Sequence, residues 1–242
     1  MPITARAVPI LSDNYAWLLH DENSGKVAIV DPADAKACIA AIEQDGGKLD
    51  MIIITHHHDD HIAGVDEVRV KYGATVVGAT ADKHRLPKLD IEVVEGDTVP
   101  FGDSHFQVID TPGHTRGHIS YFSPNGDILL CADTLFSLGC GRLLEGTAKE
   151  MFESLQKLAK LPDDTLVCCG HEYTQSNARF ALTVEPDNAA LKQRAAEVDR
   201  QRAAGEHTVP TRLGAEKAEN PFLRAKTAEE LAKIRTGKDN FK

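Results

Sequence analysis

The sequence predicts an α/β layered domain carrying a small helical appendage, and three observations lead there. Short β-branched apolar runs alternate with Gly, Pro and Asp turns through the first 170 residues, with helical stretches between them. Composition changes after His171, where Ala, Gln, Arg and Glu take over. Several apolar runs also end in His or Asp, which puts coordinating side chains in the loops at strand ends.

The strand candidates are 14–20 (NYAWLLH), 26–31 (KVAIVD), 51–54 (MIII), 75–78 (TVVG) and 91–94 (IEVV). They continue with 105–110 (HFQVID), 118–123 (HISYFS), 127–132 (DILLCA) and 165–169 (TLVCC). Each is short and apolar enough to lie inside a layered sheet. A helix is expected over 34–45, stopped by Gly46-Gly47. A second is expected over 148–160, where Thr147 and Glu150 make a capping-box pattern. Residues 174–204 read as two helices broken at "EPDN" (185–188), and a third begins at Thr227. No internal repeat or low-complexity segment is present in the sequence.

A chain of 242 residues fits one large domain, or a main domain with a smaller one attached. Runs such as MIII and ILLCA are far too short to span a bilayer, so no membrane partner is expected. The N-terminal stretch lacks the basic and long apolar regions of a signal peptide, so export is not expected. The five cysteines lack CxxC spacing and sit in apolar runs, which predicts buried free thiols and a cytoplasmic location. A net charge of −10 argues against non-specific nucleic-acid binding, and an anionic ligand would need a local basic patch. A monomer is expected.

The chemistry concentrates at T55-H56-H57-H58-D59-D60-H61, directly after MIII. Imidazole and carboxylate suit zinc, iron and manganese. Two residues apart after a strand, His56 and His58 share a side, and Asp60 and His61 follow round the turn. These are two pairs of ligands for two adjacent metals, and no HExxH helix motif is present in the sequence. Three later strand ends supply one ligand each: His114 in "DTPGHTRGH", Asp133 in "CADTLF" and His171 in "CCGHEYT". By alternation His57 faces away in a structural or supporting role; Asp59, at the variable position of the motif, is a solvated or supporting carboxylate, and His118 is either a supporting or a turn histidine.

This set of motifs resembles the metallo-β-lactamase superfamily, whose fold is an αββα sandwich with a two-metal site at one edge. The resemblance implies one metal on His56, His58 and His114, and a second on Asp60, His61 and His171. Asp133 would bridge both and leave room for a bridging hydroxide. Further stretches, 133–151, 170–188, "NPFLR" and "IRTGKDNFK", resemble the hydroxyacylglutathione hydrolase (glyoxalase II) family. That implies two divalent ions, most simply zinc, with iron or manganese as alternatives. It also implies a catalytic domain over 1–172 and a helical glutathione-binding domain over 173–242. Arg142, Tyr173, Arg235 and Lys238 match residues that hold the glutathione moiety in that family. The last eight residues carry Arg235, Lys238 and Lys242 against Asp239, a local basic patch on an acidic chain. Leu144 departs from the pattern, since some members carry an aromatic residue there.

The implied reaction is hydrolysis of S-(2-hydroxyacyl)glutathione thioesters, chiefly S-D-lactoylglutathione to D-lactate and glutathione, the second step of methylglyoxal detoxification. Asp60 would orient the attacking hydroxide. The thiolate leaves without a strong general acid, because a thiol pKa is about 8.5. Rival readings are a lactonase, a phosphodiesterase or a single-iron persulfide dioxygenase on the same fold, and a non-enzymatic metal-binding module.

Overall fold

Residues 3–241 are described in the structure, a computed structural model. They divide into two units: the chain up to Asp110 with Gly117–Cys131, and Thr111–Arg116 with the chain from Ala132 onward.

The first unit begins with β1 (Ile3–Ile10), β2 (Asn14–Asp21) and β3 (Lys26–Val30), an antiparallel series. β4 (Met51–Ile53), β5 (Thr75–Ala79) and β6 (Ile91–Val93) continue the sheet in parallel, in the order β1 to β6. Parallel neighbours need a crossover. α1 (Ala35–Gln44) supplies it between β3 and β4, and α2 (Asp59–Ile62) with α3 (Val65–Tyr72) supplies it between β4 and β5. Asp34 caps α1 by accepting from the Ala37 N–H, and Gly46 and Gly47, both at positive φ, turn the chain away. Residues of β1–β5, α1 and α3 such as Leu18, Ile29, Ile52, Val76, Ile42 and Val68 form one buried cluster. β7 (Thr98–Phe101), β8 (Ser104–Asp110), β9 (Ile119–Ser123) and β10 (Ile128–Ala132) then pair as an antiparallel meander. The Tyr121 hydroxyl donates to the Ile54 carbonyl (3.0 Å), and the Ile119 N–H to the Thr55 carbonyl (3.0 Å). These two bonds fix the end of β4, where the histidine run starts.

The second unit carries the two-residue strands β11 (Leu135–Phe136) and β12 (Gly139–Cys140), paired as a hairpin. α4 (Ala148–Leu158) follows with the expected Thr147–Glu150 capping box. β13 (Leu166–Cys169) pairs with β14 (Thr211–Arg212). Between them lie α5 (Thr174–Val184) and α6 (Ala189–Ala203), separated at the EPDN break with Asn188 capping α6. α7 (Leu213–Glu219), α8 (Pro221–Arg224) and α9 (Ala228–Asp239) complete it, and Thr227 caps α9 as expected. Among the described residues, no helix is long and apolar enough to cross a membrane. All five cysteines are free and buried, as the sequence predicts.

β1, β7, β11, β12, β14, α2, α3, α7 and α8 go beyond the elements read from sequence. β1 contains Arg6 and Pro9, which read against a strand. It lies at the sheet edge, where a missing N–H and a polar outer face are tolerated.

Candidate active site

In the first unit the strand-end motif is organised by a residue outside it. Asp31, buried and at φ 49°, accepts from the Thr55 N–H (2.9 Å), the Thr55 hydroxyl (2.7 Å) and His61 Nδ1 (3.0 Å). Its carboxylate therefore holds the proton of His61 on Nδ1 and turns Nε2 outward as an electron-pair donor. The Thr55 hydroxyl, having given its proton to Asp31, receives the N–H of His56 Nδ1 (3.0 Å). His56 Nε2 then faces His58 Nδ1 at 3.1 Å. Asn14 donates from Nδ2 to both the carbonyl (3.1 Å) and Oδ2 (3.0 Å) of Asp60. His56, His58, Asp60 and His61 are thus brought together on one turn, with three of the four visibly oriented from behind.

The neighbours take other roles. His57 points to the buried Asp82, with Nδ1 at 2.9 Å from Oδ2, and Arg85 also binds that carboxylate. Asp59 is exposed. His118 is buried with its ring stacked 4.8 Å from that of His56, a supporting position.

In the second unit, His114 and His171 converge on Asp133. Their Nε2 atoms lie 3.4 and 3.3 Å from the same oxygen, Oδ2, and all three residues are buried. His114 Nδ1 donates to the Arg142 carbonyl (2.9 Å), which again leaves the lone pair on Nε2. Two electron-pair donors at such a distance repel unless a proton or cation lies between them. The same holds for His56 Nε2 and His58 Nδ1. Neutral imidazoles with the remote N–H pinned, beside carboxylates, are the donor chemistry of a divalent-metal site, so the residues fit a metal.

His114 and Asp133 also line a cavity of about 410 Å³ within this unit. Its lining is otherwise rich in cations. Arg142, Arg235 and Lys238 belong to it, with Tyr173 and Asp239 among them. Arg235 is almost fully buried, donating from Nη1 to the Cys140 carbonyl (2.7 Å) and from Nη2 to Asp239 Oδ1 (2.9 Å). Lys238 Nζ donates to the Ser176 hydroxyl (2.6 Å) and carbonyl (3.0 Å). Partial burial, reinforced by Arg235 and Arg142, pulls the pKa of Lys238 down to about 8. Tyr173 lies parallel to the His171 ring at 4.6 Å.

A metallo-beta-lactamase superfamily model matches residues 11–171, and a hydroxyacylglutathione hydrolase C-terminus model matches 172–241. The hydroxyacylglutathione hydrolase of Ruegeria pomeroyi is 52% identical, covering 100% of both chains. That of Acidiphilium cryptum is 54% identical over 98% of this chain and 97% of its own. The chain belongs to the hydroxyacylglutathione hydrolase family. Among solved structures, ETHE1 from Myxococcus xanthus is similar with a TM-score of 0.72 and 28% identity, covering 96% of this chain and 90% of that one. The fold is accordingly that of the metallo-β-lactamases with a C-terminal helical region, as the sequence predicts.

Within this hydroxyacylglutathione hydrolase family member, sequence reasoning missed Asp31, Thr55 and Asn14. Thr55 sits inside the quoted motif, and its position next to His56 was a usable signal. Asp31 and Asn14 carry no local signal, because their partners lie 24 to 46 positions away. The basic C-terminal stretch is helical to Asp239 and supplies a buried arginine, whereas Lys242 lies outside the described residues. Leu144 is exposed and is not among the residues lining the cavity.

Proposed function

We propose that the protein hydrolyses S-(2-hydroxyacyl)glutathione thioesters, chiefly S-D-lactoylglutathione, to a 2-hydroxy acid and glutathione. The observation that carries this is the cavity whose walls run from His114 and Asp133 to Arg142, Arg235 and Lys238. The thioester group would lie at His114 and Asp133. Three cations gathered round the one carboxylate of Asp239, on a chain of net charge −10, suit a ligand that carries carboxylates.

We assign His56, His58 and His114 to one divalent ion, Asp60, His61 and His171 to a second, and Asp133 to both. Two zinc ions are the first choice, with iron or manganese accepted by the same donors. Such ions, when bound, would bring the pKa of water down to roughly 7 and polarise the thioester carbonyl.

The chain's own residues do the rest. Asp31, directly and through Thr55, holds His61 and His56 in the tautomers that present Nε2, and the Arg142 carbonyl does so for His114. Arg142, Arg235 and Lys238 bind a glutathione carboxylate by charge and hydrogen bonds, and Tyr173 packs against its body. Tyr173 lines the same cavity and stacks on His171, so a molecule held by the cations would lie beside a residue that packs on a proposed ligand. The departing thiolate needs no proton donor at neutral pH, with a thiol pKa of about 8.5. Residues 1–172 form the catalytic part and 173–242 the glutathione-binding part in this reading. A monomer is the expected state, and five buried thiols outside any disulfide support a cytoplasmic location.

The test is loss of S-D-lactoylglutathione in the presence of metal-loaded protein. Turnover with about two metals per chain is expected. No turnover with both metals present, or a single iron with oxygen uptake, would overturn the proposal.

A further inference from the structure

The β11–β12 hairpin is held by side chains from far along the chain. Asn220 Nδ2 donates to the carbonyls of Phe136 (3.1 Å) and Gly139 (3.0 Å), and to Glu216 Oε2 (3.0 Å). The Leu138 N–H donates to Glu216 Oε2 (2.8 Å), and Asn177 Nδ2 to the Ser137 carbonyl (3.0 Å). The Cys140 carbonyl receives Arg235 Nη1 (2.7 Å). Every residue from 136 to 140 thus has one backbone group fixed by a side chain at position 177 or beyond.

This arrangement is costly in itself. Glu216 and Asn220 are both fully buried, and burial pushes the Glu216 carboxyl up despite its donors, which include the Thr211 hydroxyl (3.0 Å). Leu138 is held at φ 57°, a left-handed conformation that a branched side chain disfavours. Gly139 cannot carry a Cβ, because the Asn177 amide occupies that space. Apolar side chains could fill the same volume without a buried carboxylate. What the polar set adds is a fixed placement of five backbone groups.

That placement ends on Arg235. Its guanidinium is braced on one side by the Cys140 carbonyl at the hairpin's end. On another it lies over the Phe222 ring at 5.1 Å, and the Phe222 N–H is held by Asn220 Oδ1 (3.0 Å). A long, flexible arginine binds an anion more tightly when its geometry is set beforehand.

We propose that Glu216, acting with Asn220, is a positioning residue for the anion-binding Arg235, through the 135–140 hairpin and Phe222. This rests on the assignment of Arg235 to the glutathione end of the substrate. The experiment compares metal-loaded wild type, Glu216→Ala and Glu216→Gln, with thioester kinetics and metal content measured together. A glutamine can keep its carbonyl oxygen at the Leu138 and Asn220 donors and turn its amide to the Thr211 hydroxyl, which can reverse. Glu216→Ala is therefore expected to raise KM on the order of tenfold, with kcat and metal content held within about twofold. Glu216→Gln is expected to restore KM to near the wild-type value. Should Glu216→Ala fail to fold, Asn220→Ser keeps an oxygen for the Phe222 N–H but removes the donors to residues 136 and 139, and the same rise in KM is expected. An unchanged KM, a loss of metal in step with activity, or a glutamine variant no better than alanine would each overturn the inference. A metal-loaded wild type that does not cleave the thioester would instead defeat the proposed function.

Discussion

Asp31→Asn tests how much of the metal chemistry is written outside the ligands. The substitution is nearly isosteric, and asparagine tolerates the φ of 49° at this position at least as well as aspartate. Its effect falls on protons. If the amide oxygen keeps the Thr55 N–H, the NH₂ group replaces the oxygen that accepted from both the Thr55 hydroxyl and His61 Nδ1. An NH₂ facing an N–H is repulsive, so His61 moves its proton to Nε2. The Thr55 hydroxyl, now accepting from the amide, turns its own proton to His56 Nδ1 at 3.0 Å, and His56 follows. One buried atom thereby turns the Nε2 lone pairs of both imidazoles, ligands in the proposed assignment, into N–H groups.

Metal binding has to restore both tautomers without the hydrogen bonds to a charged acceptor that Asp31 supplied, a loss of about 1.5–3 kcal/mol. At about 1.36 kcal/mol per decade, metal affinity should fall by roughly 10- to 150-fold. That range agrees with the 10–100-fold (roughly) seen when the partners of metal-ligating histidines are removed. Chelator competition with zinc gives the affinity, and imidazole ¹⁵N shifts of the metal-free variant report which ring nitrogen carries the proton. Affinity within about twofold of wild type, or unchanged tautomers at both histidines, would refute the reasoning. So would a loss of affinity matched by unfolding of the metal-free protein.

Asp133→Ala should lose metal and thioesterase activity together, because the proposed assignment gives it to both ions; full metal occupancy with normal turnover would contradict that. Asn14→Ala removes the donor that holds the Asp60 carboxylate, and metal affinity is expected to drop about tenfold with KM for the remaining holoenzyme unchanged. In the proposed assignment Lys238, whose pKa is pulled down to about 8, binds the anion only when protonated, so affinity should fall as pH rises through about 8 and level off below it. Titration calorimetry with an S-alkylglutathione checks this, and in Lys238→Met the pH dependence between 7 and 9 (roughly the window around that pKa) should flatten.

The elements that sequence reveals are those whose cause is local. The helix over 148–158 is announced by Thr147 and Glu150, which satisfy each other's backbone N–H within four residues. The break between α5 and α6 is announced by Pro186 and Asn188. β11 and β12 are different. Two residues have no periodicity to read, and the hairpin exists because Asn220 and Glu216 hold it from about 80 positions away. α3 is similar: "VDEVRVKY" is β-branched enough to read as a strand, but burial of Val65 and Val68 in the core and Gly73 at φ 66° make it a helix.

The candidate site divides along the same line. His56, His58, Asp60 and His61 stand within six positions of one another, and the others follow strands, so the coordinating chemistry is visible as composition at strand ends. What makes those side chains usable is not. A histidine's ligand nitrogen is set by what its other nitrogen touches. Here those partners are Asp31 at the end of β3, Thr55 at the end of β4 and the carbonyl of Arg142. Of these, only Thr55 stands beside its histidine in sequence; Asp31 meets His61 only once the sheet has brought β3 beside β4, and Arg142 lies 28 positions from His114. Arg142 shows the point most sharply: the residue lines the cavity among the cations, while its carbonyl fixes the ring of His114, a ligand in the proposed assignment. A substitution that keeps its charge but shifts its backbone would therefore disturb metal binding before it disturbed the anion.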